Sequence, residues 1–334
     1  MKDGNRPLMV SIRCITYNHE PYIRQCLEGF VMQQTNFRFE AIVHDDASTD
    51  CTALIIKEYA EKYPDIIKPI FEAENQWSKH DGTLQRIMNE ACQGKYTAMC
   101  EGDDFWIDPL KLQKQVNFLE ENPNCSLVCN RTKRYSESKK RFISDNCCYE
   151  RPQYVSPDDI IVKGGLFISA CSVVYRTSVK SNYPSYCINC HVGDYPLVIM
   201  SVMKGDVFYM NDCMSVYRVE NDTSWVGRNR EKKLSTSKLL GIISEIRMLQ
   251  GFQNQYPQYN NAFQKRINNY ILSNIPNSIN DPEGYNIFTK ALNKEISSIK
   301  GSMVFYLWWK SSRFFKTYNL FMKLKSVLNN MICL

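Results

Sequence analysis

Four polar stations along the chain carry residue types that could do chemistry together: Tyr17 with Asn18, Asp45 with Asp46, Asp103 with Asp104, and much later an isolated Asp194. An aromatic ring can stack on a flat base, and a carboxylate accepts from the base N–H. Paired carboxylates suit a hard divalent cation, Mg²⁺ or Mn²⁺, which takes up charge developing on a departing diphosphate. A carboxylate standing apart can remove the proton from an attacking hydroxyl. In this order the stations match the needs of group transfer from a nucleoside diphosphate-linked donor. Each also has a plainer reading. Asp pairs among Ser and Thr form ordinary turns, Asp194 before an apolar run suits a helix N-cap, and Tyr17 could simply fill a core.

The stations need elements to hold them, and the pattern supplies these. Met9 to Thr16 is an apolar, β-branched run that reads as a buried strand. Pro21 opens a helix whose apolar face is Tyr22, Ile23, Cys26, Leu27, Phe30 and Val31. Phe39 to His44 is a second strand, and Thr52 to Tyr63 a second helix, capped by Thr49 or Asp50 and stopped by Pro64. Strand 66–71, a helix from Thr83 to Cys92 closed by Gly94, strand 96–100, helix 109–121 and strand 126–129 continue the alternation. Such alternation predicts an α/β fold with a mostly parallel central sheet and helices on both faces, in which ligands bind beyond the carboxyl ends of the strands. The first three stations fall at such ends. Past Arg131 a charged stretch to Lys140 reads as a loop or hairpin. A strand over 168–176, a helix over 195–204 and a long strand or strand pair over 207–219 follow, then helices over 234–250, 259–275 and 286–299.

Taken in order, VSIRCITYNHEPYIRQCLEGFVMQQ, HDDASTDCT and GKYTAMCEGDDFW resemble the family 2 glycosyltransferases of the GT-A fold. The resemblance spans about Val10 to Tyr217. It implies an inverting, metal-assisted transfer of a sugar from a nucleoside-diphosphate sugar, UDP-linked, to a hydroxyl of a glycan or lipid-linked glycan. Tyr17 and Asn18 then stand where the family contacts the base, and Asp46 where a carboxylate meets the base N–H, with Asp45 beside it. Asp104 matches the principal metal ligand, and Asp103 the residue reaching the ribose or metal-bound water. The stretch ISACSVVYR followed by HVGDYPL resembles the acceptor wall and its general base, Asp194. Two positions depart from the family. Leu84-Gln85-Arg86 replaces Ala-Arg-Asn, which leaves either Arg86 to approach the pyrophosphate from a shifted position or the phosphates to rely on the metal alone, and Glu220 stands where Tyr-Arg-x-His would have its histidine.

Composition bounds the rest. The 334 residues are 44% hydrophobic, enough for a large α/β unit with an appendage. The organisation expected is a catalytic unit over 1–225, with a nucleotide-sugar half at about 8–130 and an acceptor half at about 131–225, and a helical region over 226–334. From Val226 onward sixteen Lys and Arg face five Asp and Glu, although the whole chain carries only +6. Within 300–334 the basic residues alternate with Trp, Phe and Tyr, and no acidic residue appears. That mixture predicts a helix lying on an anionic membrane surface, and with it a cytoplasmic, peripherally membrane-bound enzyme. A terminal helix packed on the body with a solvated basic face is the alternative. No nucleic-acid motif accompanies the charge, so no nucleic-acid partner is expected. The polar start Met1 to Pro7 does not read as a secretory leader, and fourteen cysteines then read as reduced thiols. Cys187-x-x-Cys190-His191 is rejected as a haem attachment site; zinc ligation with Cys125 and Cys129 is permitted by the spacing. A sugar nucleotidylyltransferase would need a Gly-rich loop after the first strand, and none occurs between Tyr17 and Gly29. A binding module without catalysis would not need both Asp104 and Asp194.

Overall fold

The computed structural model describes residues 7–188, 190, 192–220, 236–278 and 282–292. The first half is built as the pattern predicts. Strand β1 (Leu8–Thr16) leads into helix α1 (Glu20–Val31), β2 (Arg38–Asp45), α2 (Thr52–Lys62), β3 (Ile67–Phe71), α3 (Thr83–Ala91) and β4 (Tyr96–Met99). β1 lies between β2 and β4, parallel to both, and β3 extends the parallel block beyond β2. Alternation along β1 sets its two faces. Val10, Ile12 and Cys14 join one core with Ile23, Leu27 and Phe30 of α1 and Ile56 of α2. Ile15 turns to the other side, where Leu84 and Met88 of α3 cover Ile42.

The second half departs from a parallel sheet. Strand β5 (Phe105–Trp106), helix α4 (Lys111–Glu121), strands β6 (Cys125–Ser136), β7 (Arg141–Asn146) and β8 (Gln153–Tyr154), helix α5 (Pro157–Lys163), β9 (Val174–Arg176), α6 (Ser185–Ile188), α7 (Asp194–Lys204) and β10 (Asp206–Val219) follow. β9 runs antiparallel to both β4 and β6 and joins the two halves of the sheet. β6 and β10 are parallel, β5 and β8 pair antiparallel with β10, and β7 folds back on β6 as a hairpin. The sheet is therefore mixed, its parallel part confined to β1–β4 and the β6–β10 pair, because helix crossovers link strands only there.

Several local expectations shift. Residues 168–176 form a 3-10 turn (Ala170–Ser172) and only the short β9, not one strand. The N-cap of α2 is Cys51, while Asp50 serves the same end by accepting from the Thr52 N–H at 3.0 Å. Gly94 does not close α3, which ends at Ala91; a Cβ at Gly94 would lie 2.5 Å from the Ser11 nitrogen, so the residue admits the chain against β1.

Helices α8 (Thr236–Gln255), α9 (Asn260–Ser278) and α10 (Pro282–Ala291) share a core with α5 and α7, built on Ile160, Ile199, Ile246, Phe252 and Phe263. Among the described residues no helix is long and apolar enough to cross a membrane. The basic aromatic stretch 300–334 lies outside the described residues, as do His191 of the cysteine motif and the end of the helix expected over 286–299. No group of three or more metal-ligating side chains occurs among the described residues, Cys125, Cys129, Cys187 and Cys190 included.

Candidate active site

The carboxyl end of β1 is the point from which the site is hung. The Asp46 N–H donates to the Thr16 carbonyl at 3.0 Å on one side, and the Gly102 N–H donates to the Ile15 carbonyl at 3.0 Å on the other. Both acidic pairs therefore lie on one rim of the sheet, flanking two successive residues of a single strand. The approach is close: a Cβ at Gly102 would meet Thr16 at 2.7 Å, so glycine is required ahead of Asp103.

On the β2 side, turn and loop are knitted together by side chains. Asn18, at φ 56°, takes the left-handed conformation that Asn tolerates. Its N–H donates to Ser48 Oγ at 2.9 Å, and its Oδ1 accepts from the Thr49 N–H at 2.8 Å. Asp45 is buried and accepts from the Ser48 N–H and hydroxyl; burial raises its carboxyl above the usual range although the Ser48 bonds oppose this. Asp46, 1% exposed, spends its carboxylate on the chain itself. Oδ1 accepts from the Gln76 N–H at 2.7 Å and Oδ2 from the Trp77 N–H at 3.0 Å. It thereby fixes the loop that carries Trp77, whose ring meets His80 edge-on at 5.7 Å, and that loop was not singled out from the sequence. Tyr17 itself is half-buried.

On the β4 side, Asp104 is 2% exposed and its Oδ1 accepts from the Arg218 N–H of β10 at 2.8 Å. Burial, with Asp103 adjacent, raises the Asp104 carboxyl well above the ordinary range. Glu101 is pushed up to about 7, chiefly by burial, with the charges of Asp103 and Asp194 adding to it and Arg13 opposing. The charges of Asp103 and Asp194 bear on Glu101, and those of Asp103 and Glu101 on Asp104, which leaves negative charge here short of a counter-ion. A divalent cation supplies that charge, and the hard oxygens of Asp103 and Asp104 are the donor type for Mg²⁺ or Mn²⁺. The residues present thus fit such a group.

Asp194 begins α7, with its Oδ1 accepting from the Tyr195 N–H at 2.8 Å, so it is a first-turn residue and Gly193 the N-cap. Burial raises its carboxyl, and Arg13 opposes the shift. Its backbone is anchored from behind. The Tyr195 hydroxyl donates to the Ile161 carbonyl of α5 at 2.6 Å, and Arg266 of α9 stacks on the Tyr195 and Tyr270 rings at 5.7 and 4.2 Å.

Two arginines organise the space between. Arg13 on β1 is 5% exposed, donates to Gln85 of α3 at 3.1 Å and lies 3.8 Å from Glu101. Arg218 is 6% exposed, bonds Glu137 and Gln25, and stacks on Tyr22, Phe105 and Tyr135 at 5.1, 4.6 and 5.8 Å. Neither was assigned a role from sequence, although Arg218 belongs to the Tyr-Arg pair whose fourth position is Glu220. Glu220 accepts from the hydroxyls of Ser136 and Ser138 and so pins the β6–β7 turn. Arg86 is not drawn into this assembly: its exposed guanidinium lies 3.5 Å from Glu90 on the same helix.

A mixed α/β sheet of this order, with acidic loops at the carboxyl ends of β2 and β4, is the GT-A architecture. TarS of Staphylococcus aureus, solved in complex with UDP-GlcNAc, superposes with a TM-score of 0.64 over 87% of this chain and 82% of that one at 16% identity, a likeness of fold. The profile described as "Glycosyl transferase family 2" matches residues 11–182, and the chain belongs to that family. TuaG of Bacillus subtilis, named as a glycosyltransferase for teichuronic acid biosynthesis, is 33% identical over 263 residues, covering 78% of this chain and 98% of TuaG. An uncharacterized protein of Mycobacterium tuberculosis is 37% identical over 218 residues, 65% of this chain, and the match spans 60% of that relative's length.

Proposed function

We propose that this family 2 glycosyltransferase inverts the anomeric centre as it moves a sugar from a nucleoside-diphosphate sugar, UDP-linked, to a hydroxyl of a glycan or lipid-linked glycan. The observation that carries the reading is the hanging of both acidic loops from adjacent carbonyls of β1, with Asp194 close enough to share its field with Glu101. The UDP-GlcNAc bound by TarS and the teichuronic acid role in the name of TuaG accord with such a donor and with a surface-polymer acceptor. An acceptor on a lipid carrier also accords with the basic aromatic stretch 300–334.

In this mechanism Tyr17, Asn18 and the Trp77 loop held by Asp46 receive the base and ribose, with Asp45 bracing the turn beneath. Asp103 and Asp104 would hold Mn²⁺ or Mg²⁺, which when bound offsets the charge gathering on the leaving nucleoside diphosphate. Asp194 takes the proton from the acceptor hydroxyl as its oxygen attacks the anomeric carbon from the side opposite the diphosphate. Burial raises the proton affinity of Asp194, which suits a base, and Arg13 opposes that rise. The test is Asp194→Asn. It should retain UDP binding and lose turnover by ~10²–10⁴-fold, the usual worth of general-base assistance. Turnover at the wild-type rate would remove Asp194 from the role.

A further inference from the structure

Lys180 ends a 3-10 turn, Thr177–Lys180, directly after β9. A surface lysine ordinarily lays its stem on the protein and lifts its ammonium into water. Lys180 does the reverse. The residue keeps part of its surface exposed, yet its Nζ is buried and has no hydrogen-bond partner among the described residues. The ammonium lies 5.2 Å from the centroid of the Tyr175 ring. The charged group that bears on it is another cation, Arg13, with the Cys92 thiol also near. Arg13 is itself buried, and its Nε likewise has no partner. The seam that runs from β1 across β4 to β9, beside the end of α3, thus holds two buried cations; Arg13 is answered by Gln85 and by Glu101 at 3.8 Å, whereas the Lys180 ammonium meets no acceptor among the described residues, which is strongly unfavourable in a dry interior.

Through Gln85 the seam adjoins the start of α7. Gln85, which accepts from Arg13, would lie 3.8 Å from a Cβ at Gly193, the residue before Asp194. We propose that Arg13 and Lys180 form a binding site for an oxyanion, a carboxylate or a phosphate, carried by the acceptor beside Asp194. Charge-assisted bonds from the ammonium and guanidinium to one anionic group would satisfy both orphaned donors. The acceptor as the source of the anion rests on the glycosyltransferase reading; the site's preference for oxyanions does not. Burial and the like charge of Arg13 push Lys180 down to about 7, so the site's charge is set near neutral pH. The groups facing the ammonium are Arg13 from β1, Cys92 after α3 and Tyr175 from β9.

The experiment is thermal melting of the full chain with sodium glucuronate or inorganic phosphate against sodium chloride of equal ionic strength. A ligand that binds the native state raises Tm with its concentration, and at least one of the two oxyanions should do so beyond chloride. Glucuronate alone would identify a carboxylate site, and phosphate alone a phosphate site. Lys180→Met should melt higher than the wild type in plain buffer, because the unpaired buried ammonium is gone, and should lose the oxyanion-dependent rise; Lys180→Gln serves if the methionine variant does not fold. For a glucuronate response, affinity should fall about tenfold from pH 6 to pH 8 as the ammonium loses its proton. No rise with either anion, a full rise in the lysine variant, or a glucuronate affinity flat across that range overturns the proposal. UDP with Mn²⁺ in the same melts tests the donor reading separately: a chain that ignores UDP but answers an oxyanion keeps this site and loses that reading.

Discussion

Asp46→Asn separates two jobs that one carboxylate could do. In the family resemblance Asp46 meets the N–H of the base; in the structure its two oxygens already accept from the Gln76 and Trp77 N–H groups at 2.7 and 3.0 Å. Asparagine keeps one carbonyl oxygen and sets an NH₂ donor against the other N–H, so one charge-assisted bond is lost and the second becomes neutral. Hydrogen bonds to charged groups are worth about 1.5–3 kcal/mol each and neutral ones about 1. The loop should therefore open more easily by about 2–5 kcal/mol, roughly a 30- to 4,000-fold loss of amide protection at about 1.4 kcal/mol per decade. Hydrogen exchange at the Gln76 and Trp77 amides of the ligand-free protein reads this directly, and UDP titration should show weaker binding in step. If both amides keep wild-type protection in Asp46→Asn while UDP binding is lost, the carboxylate serves the base alone and the loop argument fails.

Three further outcomes follow from the same geometry. Asp104→Asn removes a charge that burial opposes, so without divalent cation it should melt at or above the wild-type temperature, while sugar transfer is lost; a lower Tm would contradict the charge argument. Arg218→Met removes one of the two cations on Glu137, leaving Lys140, and should destabilise by about 1.5–3 kcal/mol in urea unfolding, with Arg218→Lys recovering only part because it cannot reproduce the fork and the stacking. Glu101 binds protons more tightly folded, at about 7, than its ordinary 4.5, so its contribution to stability is full below about 4.5 and is lost as pH rises through 7. In divalent-free buffer, urea midpoints should fall between pH 5 and pH 8, and Glu101→Gln should flatten that slope.

The first half of the fold was legible because its strands are apolar runs and its helices carry strong start and stop signals. β1, β2 and β4 lie where the runs place them, to within a residue or two at each end. The second half was less so. Helix α5 was passed over although Ser156-Pro157-Asp158-Asp159 opens it and Gly164 closes it, and residues 168–176 looked like a strand because apolarity alone does not distinguish extended chain from a 3-10 turn. The polar stations were visible as motifs, but their supports were not. Arg13 is hidden in a run that reads as uniformly buried strand, and its meaning depends on Gln85 and Glu101, far off in sequence. The assignment of Asp46 to the base could not anticipate the loop at Gln76 and Trp77, since backbone donors leave no trace in residue type.

Asp194 and the acidic loops belong to different packing units. The loops hang from β1, whose side chains fill the core shared with α1 and α2, whereas α7 is seated in the core shared with α5, α8 and α9. The two cores meet along β6, β9 and β10, and Arg218 of β10 ties Asp104 to Gln25 of α1. Under the proposed mechanism, substitutions in the C-terminal helices can re-aim Asp194 toward a different hydroxyl while the loops on β1 keep their own core, so one scaffold can accumulate new acceptors without surrendering an old donor.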